Sequence, residues 1–179
     1  MSVEREIGRV FERAHVSAWL HVVDIDGDGE VAIGADTPVA LVSVFKLPVL
    51  VALHRAGESG ELDLADRIPV PAATRTSGVT GLAALSDDAE LSLRDLAQLM
   101  ITISDNAAAD AVVDRVGFGA VARTLDHLGL RATHIGQACR DLHAALAEDL
   151  EAAGTSLARA MGDPAVLAGL RVLDPDTTN

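Results

Sequence analysis

The sequence predicts an α+β fold in which a mainly helical lobe accompanies part of an antiparallel sheet. Three observations lead to this class: an amphipathic opening segment, two strand-like runs around a Gly/Asp-rich turn, and a mostly helical pattern beyond them. We therefore expect residues 1–40 to form an N-terminal helix and β-hairpin that belong to an α/β lobe. Residues 41–179 are expected to form the helical lobe.

Composition indicates a folded chain with an aliphatic core. Of the 179 residues, 49% are hydrophobic and 23% charged, whereas aromatic residues make up only 2%. The net charge of −13 repels nucleic acids and anionic membrane surfaces, so we expect neither as a partner. Cys139 is the single cysteine, which excludes an internal disulfide, and we interpret it as a small apolar filler.

The start of the chain indicates where this form of the protein resides. "MSVEREIGRVFERAH" is a charged helical pattern without the cationic start and apolar stretch of a secretory signal. No apolar run approaches the length of about 18 residues that suggests a membrane span. We expect this form of the chain to stay in the cytoplasm, unless a leader has been removed.

The opening elements are a helix and a hairpin. Apolar residues recur at helical spacing over residues 2–14, and strand-like runs follow at 16–26 and 29–36. The turn "DIDGDGE" imitates the start of a calcium loop, but Ala35 stands where an EF-hand needs its twelfth-position glutamate, so we interpret the acids as turn formers. An isolated hairpin is marginal in water. We expect further strands, or a second chain or fragment, to complete its sheet.

The remainder of the chain is predicted to be helical around one long loop. Ser92 is a predicted N-cap, Asp105 or Ser104 could cap the helix after it, and the turn-rich residues 69–88 form the loop. The candidate helices span residues 43–56, 92–103, 105–116, 118–129, 140–153 and 155–171.

One lysine lies in the apolar run "VSVFKLPVL". Lys46 is the only lysine of the chain, and Ser43 precedes it by three residues, so a helix would place both on one face. A serine hydroxyl needs a base to become a nucleophile, and a lysine whose charge is disfavoured by burial can serve, whereas arginine does not release its proton. Taken alone, the pattern is more typical of a lysine that extends to the surface and a serine that caps a helix.

A second pattern follows at a predicted junction between two helices, where "ITISDNAAAD" contains Ser104, Asp105 and Asn106. Alone it is an N-cap signal. In this order, however, S-x-x-K and S-D-N are two of the three signatures of class A β-lactamases and penicillin-binding proteins. The chain resembles the class A β-lactamase-like serine hydrolases over residues 1 to about 136, including the segment "ELSLRDLAQLMITISDNAAAD".

The resemblance implies an acyl-enzyme mechanism without a cofactor or metal, acting on a small β-lactam or a related amide or ester. It implies that Ser43 attacks the carbonyl, that Lys46 accepts or relays the proton, and that Ser104 passes a proton to the leaving nitrogen. Asn106 would hydrogen-bond the substrate amide and Lys46. The main-chain amide of Ser43 would supply half of the oxyanion hole.

The sequence departs from the family pattern in two places. The third signature, K-[TS]-G, is absent from these residues because the only lysine is already used, so the chain resembles the first part of a longer protein. In addition, Ala138, Cys139 and Arg140 stand where the family carries the Glu-Pro pair that hydrolyses the acyl-enzyme. Asp174, followed by proline, is the nearest substitute and a candidate deacylation base, although a turn is the simpler interpretation.

Two functional classes therefore stay open. The first is a serine hydrolase that opens β-lactams through Ser43. The alternative is a non-catalytic or truncated relative that acts as a penicillin-binding or interaction module, which the missing signature favours. The histidines show no paired metal spacing and are interpreted as surface or structural residues; they are His15, His21, His54, His127, His134 and His143.

Overall fold

A computed structural model describes residues 2–78 and 80–152 of the chain. It confirms a mixed helix-and-strand fold, with two small antiparallel sheets in the described residues. The described residues divide into two compact units, one that ends at residue 39 and one that begins at residue 40. The predicted assignment of these parts to an α/β lobe and a helical lobe stays a prediction.

The first unit consists of a helix and a hairpin. Helix α1 spans Val3–Ala14, and strands β1 (Leu20–Val23) and β2 (Glu30–Ile33) pair antiparallel, as the sequence predicts. No residue between 2 and 39 is fully buried, and Ile25 in the hairpin turn is 97% exposed. The expectation of further strands or a partner beside this hairpin stays a prediction.

The second unit is built around a helical core. Helix α2 (Lys46–Glu58) follows a 3-10 turn at Val42–Phe45, and helices α3 (Leu93–Thr102), α4 (Asn106–Val116) and α5 (Phe118–His127) pack with it around an aliphatic core. Helix α6 (Cys139–Ala152) packs on α4. The fully buried side chains include Val49, Leu53, Leu93, Leu96, Met100, Val112 and Val121.

Two short strands were not predicted. β3 (Arg67–Val70) and β4 (Ala89–Ser92) form an antiparallel pair that frames the segment predicted as a loop. Each has four residues, too few for alternation to show in the sequence. Between them, the guanidinium of Arg75 donates to the main-chain oxygens of Val70, Leu82, Leu85 and Asp87, so a single side chain organises the connection.

The predicted helix caps are confirmed. The side chain of Ser92 accepts from the main-chain N–H of Asp95 at the start of α3, and Asp105 accepts from that of Ala108 at the start of α4. The candidate helix at 155–171 lies outside the described residues.

Candidate active site

Ser43 lies in the 3-10 turn that leads into α2. The preceding Val42 has φ of 47°, an uncommon conformation for a β-branched residue, so the backbone is strained immediately before Ser43. Ser43 itself is exposed, whereas Lys46, the first residue of α2, is only 2% exposed. The turn thus presents a hydroxyl to solvent while the helix buries an amine.

The Lys46 amine is held by the connection between α3 and α4. Its Nζ donates to Ser104 O at 2.7 Å, to Ser104 Oγ at 3.0 Å and to Asn106 Oδ1 at 2.7 Å. Three acceptors match the three N–H groups of an ammonium, or two N–H groups and the lone pair of a neutral amine. The contact with Ser104 Oγ is where such a lone pair would accept a proton.

Ser104 joins the lysine to the exposed serine. Its hydroxyl donates to Ser43 Oγ at 3.1 Å, and its backbone has φ of 56°. Among the hydrogen bonds of the described residues, none joins Lys46 Nζ directly to Ser43 Oγ. The hydrogen-bonded connection between the two side chains therefore runs through Ser104 Oγ.

Burial lowers the pKa of Lys46 from its ordinary value, because desolvation disfavours the charged amine. The charges of Asp105 and Asp110 act in the opposite direction. A Cys139 thiolate would do so too, but burial and the nearby Asp110 raise the pKa of the Cys139 thiol to about 11, so it is uncharged near neutral pH. The net result favours the neutral, proton-accepting form of Lys46 more than in an ordinary lysine.

Asp105 fixes the segment that carries Ser104 and Asn106. It is 3% exposed, and besides capping α4 it accepts from the main-chain N–H of Leu82 at 2.7 Å. The neighbouring Gly81 has φ of +65°, and a Cβ there would collide with the Asp105 carboxylate. A glycine is therefore required where the β3–β4 connection meets the site.

The start of α6 approaches the same site from the other side of Asn106. Cys139 Sγ donates to Asn106 Oδ1 at 3.5 Å, and His143 Nε2 lies 3.5 Å from Asn106 Nδ2. His143 Nδ1 lies 3.1 Å from Ser77 Oγ. His143 was predicted to be a structural or surface residue; its place four residues after Cys139, on the same helix face, is the signal that could have pointed to it.

Asp110 ties α6 to α4. Its carboxylate is 4% exposed and accepts from the main-chain N–H of Cys139 at 2.7 Å and from that of Arg140 at 3.0 Å. The Thr76 hydroxyl donates to the same carboxylate. These bonds hold residues 139–140, the segment where the family pattern places its glutamate. At this position Cys139, and not a glutamate, contacts Asn106.

The structure brings together four of the five candidate residues: Ser43, Lys46, Ser104 and Asn106. The fifth, Asp174, lies outside the described residues. Within residues 2–78 and 80–152, no group of three or more His, Cys, Asp or Glu side chains could hold a metal ion. In the same residues, no helix is long and apolar enough to cross a membrane.

Comparison with known proteins decides the family. Residues 2–174 match the model of the beta-lactamase enzyme family. The chain belongs to that family. Among curated proteins, the β-lactamase regulatory protein BlaB of Streptomyces cacaoi is 29% identical over 169 residues, which are 94% of this chain and 54% of BlaB. The chain thus spans about half the length of this relative.

Solved structures of the family share the fold. PBP-A superimposes with a TM-score of 0.69 at 25% identity, covering 78% of this chain and 54% of PBP-A. A β-lactamase of Sphaerobacter thermophilus gives a TM-score of 0.59 at 31% identity, covering 79% of this chain and 59% of that protein. An ancestral class A β-lactamase gives 0.68 at 18% identity, covering 76% and 53%. The predicted β-lactamase-like fold is confirmed.

Proposed function

We propose that this chain carries the acylation machinery of a β-lactam-reactive serine hydrolase, with Ser43 as the nucleophile. The observation that carries the proposal is the hydrogen-bonded path from Lys46 Nζ through Ser104 Oγ to Ser43 Oγ, with links of 3.0 and 3.1 Å. A buried amine with a lowered pKa stands at one end and an exposed hydroxyl at the other. Nucleophilic catalysis by serine requires such a pairing of hydroxyl and base.

Acylation then follows from the path. Ser43 Oγ attacks the lactam carbonyl, its proton moves to Ser104 Oγ, and the proton of Ser104 moves to neutral Lys46. Hydroxyl hydrogens rotate to suit their acceptors, so the bond that Ser104 donates to Ser43 reverses without movement of heavy atoms. When the carbon–nitrogen bond breaks, the protonated Lys46 returns a proton to Ser104 Oγ, and the Ser104 hydroxyl passes its own proton to the leaving nitrogen. Ser43 ends as an ester and Lys46 is restored.

The fate of that ester separates two functional variants. Hydrolysis needs a base that activates water, and the uncharged Cys139 thiol beside Asn106 is not one near neutral pH. We therefore expect a slowly released adduct rather than rapid turnover. One of the solved structures of PBP-A, that of a point mutant, is an acyl-enzyme complex with penicillin G.

The second candidate function is a penicillin-responsive binding module. The match to BlaB, whose name is that of a β-lactamase regulatory protein, favours it together with Cys139 at the site. In such a module Ser43 would be acylated once and the adduct itself would be the signal. Turnover number distinguishes the two candidates, because a module stops at one equivalent of opened β-lactam and a hydrolase continues.

The test is covalent labelling of the full-length protein with a fluorescent penicillin. We expect one label per molecule, located on Ser43 by peptide mass spectrometry, and less than about 1% of it in Ser43→Ala, because removing a nucleophile eliminates the covalent route. Ser59→Ala is the matched control, since Ser59 directly follows α2 and its hydroxyl donates to the nearby Ala56 O. Equal labelling of the parent protein and Ser43→Ala would contradict the proposal.

A further inference from the structure

His143 is an imidazole at the site with no part in the acylation path. It lies on the second turn of α6 and is half-buried. Its two ring nitrogens face different partners: Nδ1 faces Ser77 Oγ at 3.1 Å and Nε2 faces the Asn106 side chain at 3.5 Å. These contacts determine which nitrogen carries the proton.

The Asn106 amide has a fixed orientation. Its Oδ1 accepts from Lys46 Nζ at 2.7 Å and from the Cys139 thiol at 3.5 Å, and both groups are donors. The amide nitrogen therefore points to His143, where it can only donate. It follows that His143 Nε2 is the unprotonated nitrogen of the neutral ring, while Nδ1–H donates to Ser77 Oγ.

The lone pair of His143 Nε2 accepts only a long, weak hydrogen bond. A distance of 3.5 Å is at the outer limit of a hydrogen bond and leaves no room for a water on the line between the two nitrogens, but a water beside the pair would bond to both Nε2 and Asn106 Nδ2 at little cost. Such a water would accept from the Asn106 amide and donate to the imidazole. This is the arrangement that general-base catalysis requires.

The other ionisable groups near Asn106 are already engaged. Asp110 accepts two main-chain N–H groups and a hydroxyl, and Asp105 caps α4 and accepts from Leu82. Lys46 is the base of the acylation path, and the Cys139 thiol donates to Asn106. Of the side chains that the structure places at Asn106, only His143 offers a basic lone pair that lies outside the acylation path and accepts no more than one long hydrogen bond.

We propose that His143 is the general base that releases the acyl group from Ser43, with Ser77 holding its reactive tautomer. This inference rests on the proposed function, because it needs the Ser43 ester. Nε2 removes a proton from water as the water oxygen bonds to the ester carbonyl carbon. The carbon–Oγ bond then breaks, Ser43 Oγ takes up the proton from His143, and the open-chain acid leaves.

The experiment separates acylation from release. The full-length protein is acylated with fluorescent penicillin, excess reagent is removed, and the loss of label from Ser43 is followed with time. In His143→Gln, which preserves the volume of the side chain, we expect labelling within threefold of the parent protein and release slower by about 10²-fold, a typical contribution of a general base. In His143→Ala, added imidazole should restore release, an effect that a purely structural role would not give. His127→Gln, on the exposed end of α5, is the matched control.

Each other outcome has a distinct meaning. Release from His143→Gln within threefold of the parent rate, or a parent adduct that does not decay over a day, would overturn the role of His143 and leave Ser43 acylation intact. Loss of labelling in His143→Gln, with folding confirmed by circular dichroism, would place His143 on the acylation step and overturn the proposal as stated. A parent protein that never becomes labelled would overturn the proposed function itself.

Discussion

The hydrogen bonds on the two sides of the Asn106 amide differ in length. On the Oδ1 side, Lys46 makes bonds of 2.7, 3.0 and 2.7 Å to the connection between α3 and α4, and the amine is almost fully buried. On the Nδ2 side, Asn106 and His143 are 3.5 Å apart and the imidazole is half-buried. The Oδ1 side is thus held by short bonds, whereas the two groups on the Nδ2 side lie at the outer limit of a hydrogen bond. If the proposed function holds, we expect this difference to favour fast formation and slow loss of an acyl-enzyme.

The largest expected effect is on the rate of acylation and comes from a substitution on the Oδ1 side of Asn106. Lys46→Arg keeps the positive charge but replaces the base with a guanidinium that cannot accept a proton and whose planar shape does not match the same three acceptors. We expect single-turnover acylation to fall by about 10³-fold or more, within the range of general-base contributions. The measurement is stopped-flow labelling between pH 6 and 9, after circular dichroism has confirmed the fold. A rate within about threefold of the parent protein, under ~1 kcal/mol of barrier, would show that Lys46 is not the base.

The pH dependence of the same measurement sharpens this result. Because burial lowers the pKa of Lys46, the neutral amine becomes populated at a lower pH than for an ordinary lysine. Acylation by the parent protein should therefore rise with pH and level off before the range in which free lysine titrates, near pH 10.4. A rate that still rises steeply through that range would contradict a lowered pKa.

Removal of the Ser104 hydroxyl is expected to have the next largest effect on the rate of acylation. Ser104→Ala removes the hydroxyl that bridges Lys46 and Ser43 but keeps the main-chain oxygen that accepts from Lys46. We expect acylation to slow by about 10²-fold, since the proton must then cross through a less well placed water. Ser59→Ala is again the control. A Ser104→Ala protein that acylates at the parent rate would indicate direct transfer from Ser43 to Lys46.

The residues on the Oδ1 side of Asn106 were more predictable from the sequence than those on its Nδ2 side. S-x-x-K and S-D-N are local patterns, and α3 and α4 have strong helical periodicity with Ser92 and Asp105 as caps, so their elements and candidate residues could be read from the sequence. The exception is the 3-10 turn at Ser43, whose first residue, Val42, takes a backbone conformation that its side chain disfavours. Only the folded chain shows that the Ser104 hydroxyl lies between the Lys46 amine and the Ser43 hydroxyl.

The α6 side could not be predicted because its contacts are between distant segments. His143 meets Asn106 and Ser77, which are far from it in the sequence, and no spacing rule relates them. The β3–β4 pair that frames the Ser77 segment was missed because its strands are short and one contains Pro69. The role of Asp110 in placing Cys139 was likewise invisible, since a buried aspartate within a helix gives no sequence signal of what it accepts.

Cys139 provides a test of the electrostatics on this side. Its pKa is raised to about 11 by burial and by Asp110, so at pH 8 its thiolate fraction is about 10²-fold below that of a free cysteine, whose pKa is near 8.5. We expect iodoacetamide to alkylate Cys139 at least 10²-fold more slowly in the folded protein than in urea. The rate in the folded protein should rise with pH toward 11. Rapid alkylation at pH 7 would show that the thiol is an exposed, reactive nucleophile.

The smallest expected effect concerns the salt bridge that joins α6 to α4. Arg140 donates to both oxygens of Asp114, with its NH2 group 2.5 Å from Oδ1, but both side chains are about half exposed. Exposed pairs contribute about 0.2–1 kcal/mol, so Arg140→Ala should lower the free energy of unfolding in urea by less than ~1 kcal/mol. The Arg140 main-chain bond to Asp110 survives the substitution and keeps α6 in place. Release of the acyl group should therefore stay within about threefold of the parent rate, which corresponds to under ~1 kcal/mol. A larger loss of release with unchanged stability would mean that the bridge, and not Asp110, positions the start of α6 at Asn106.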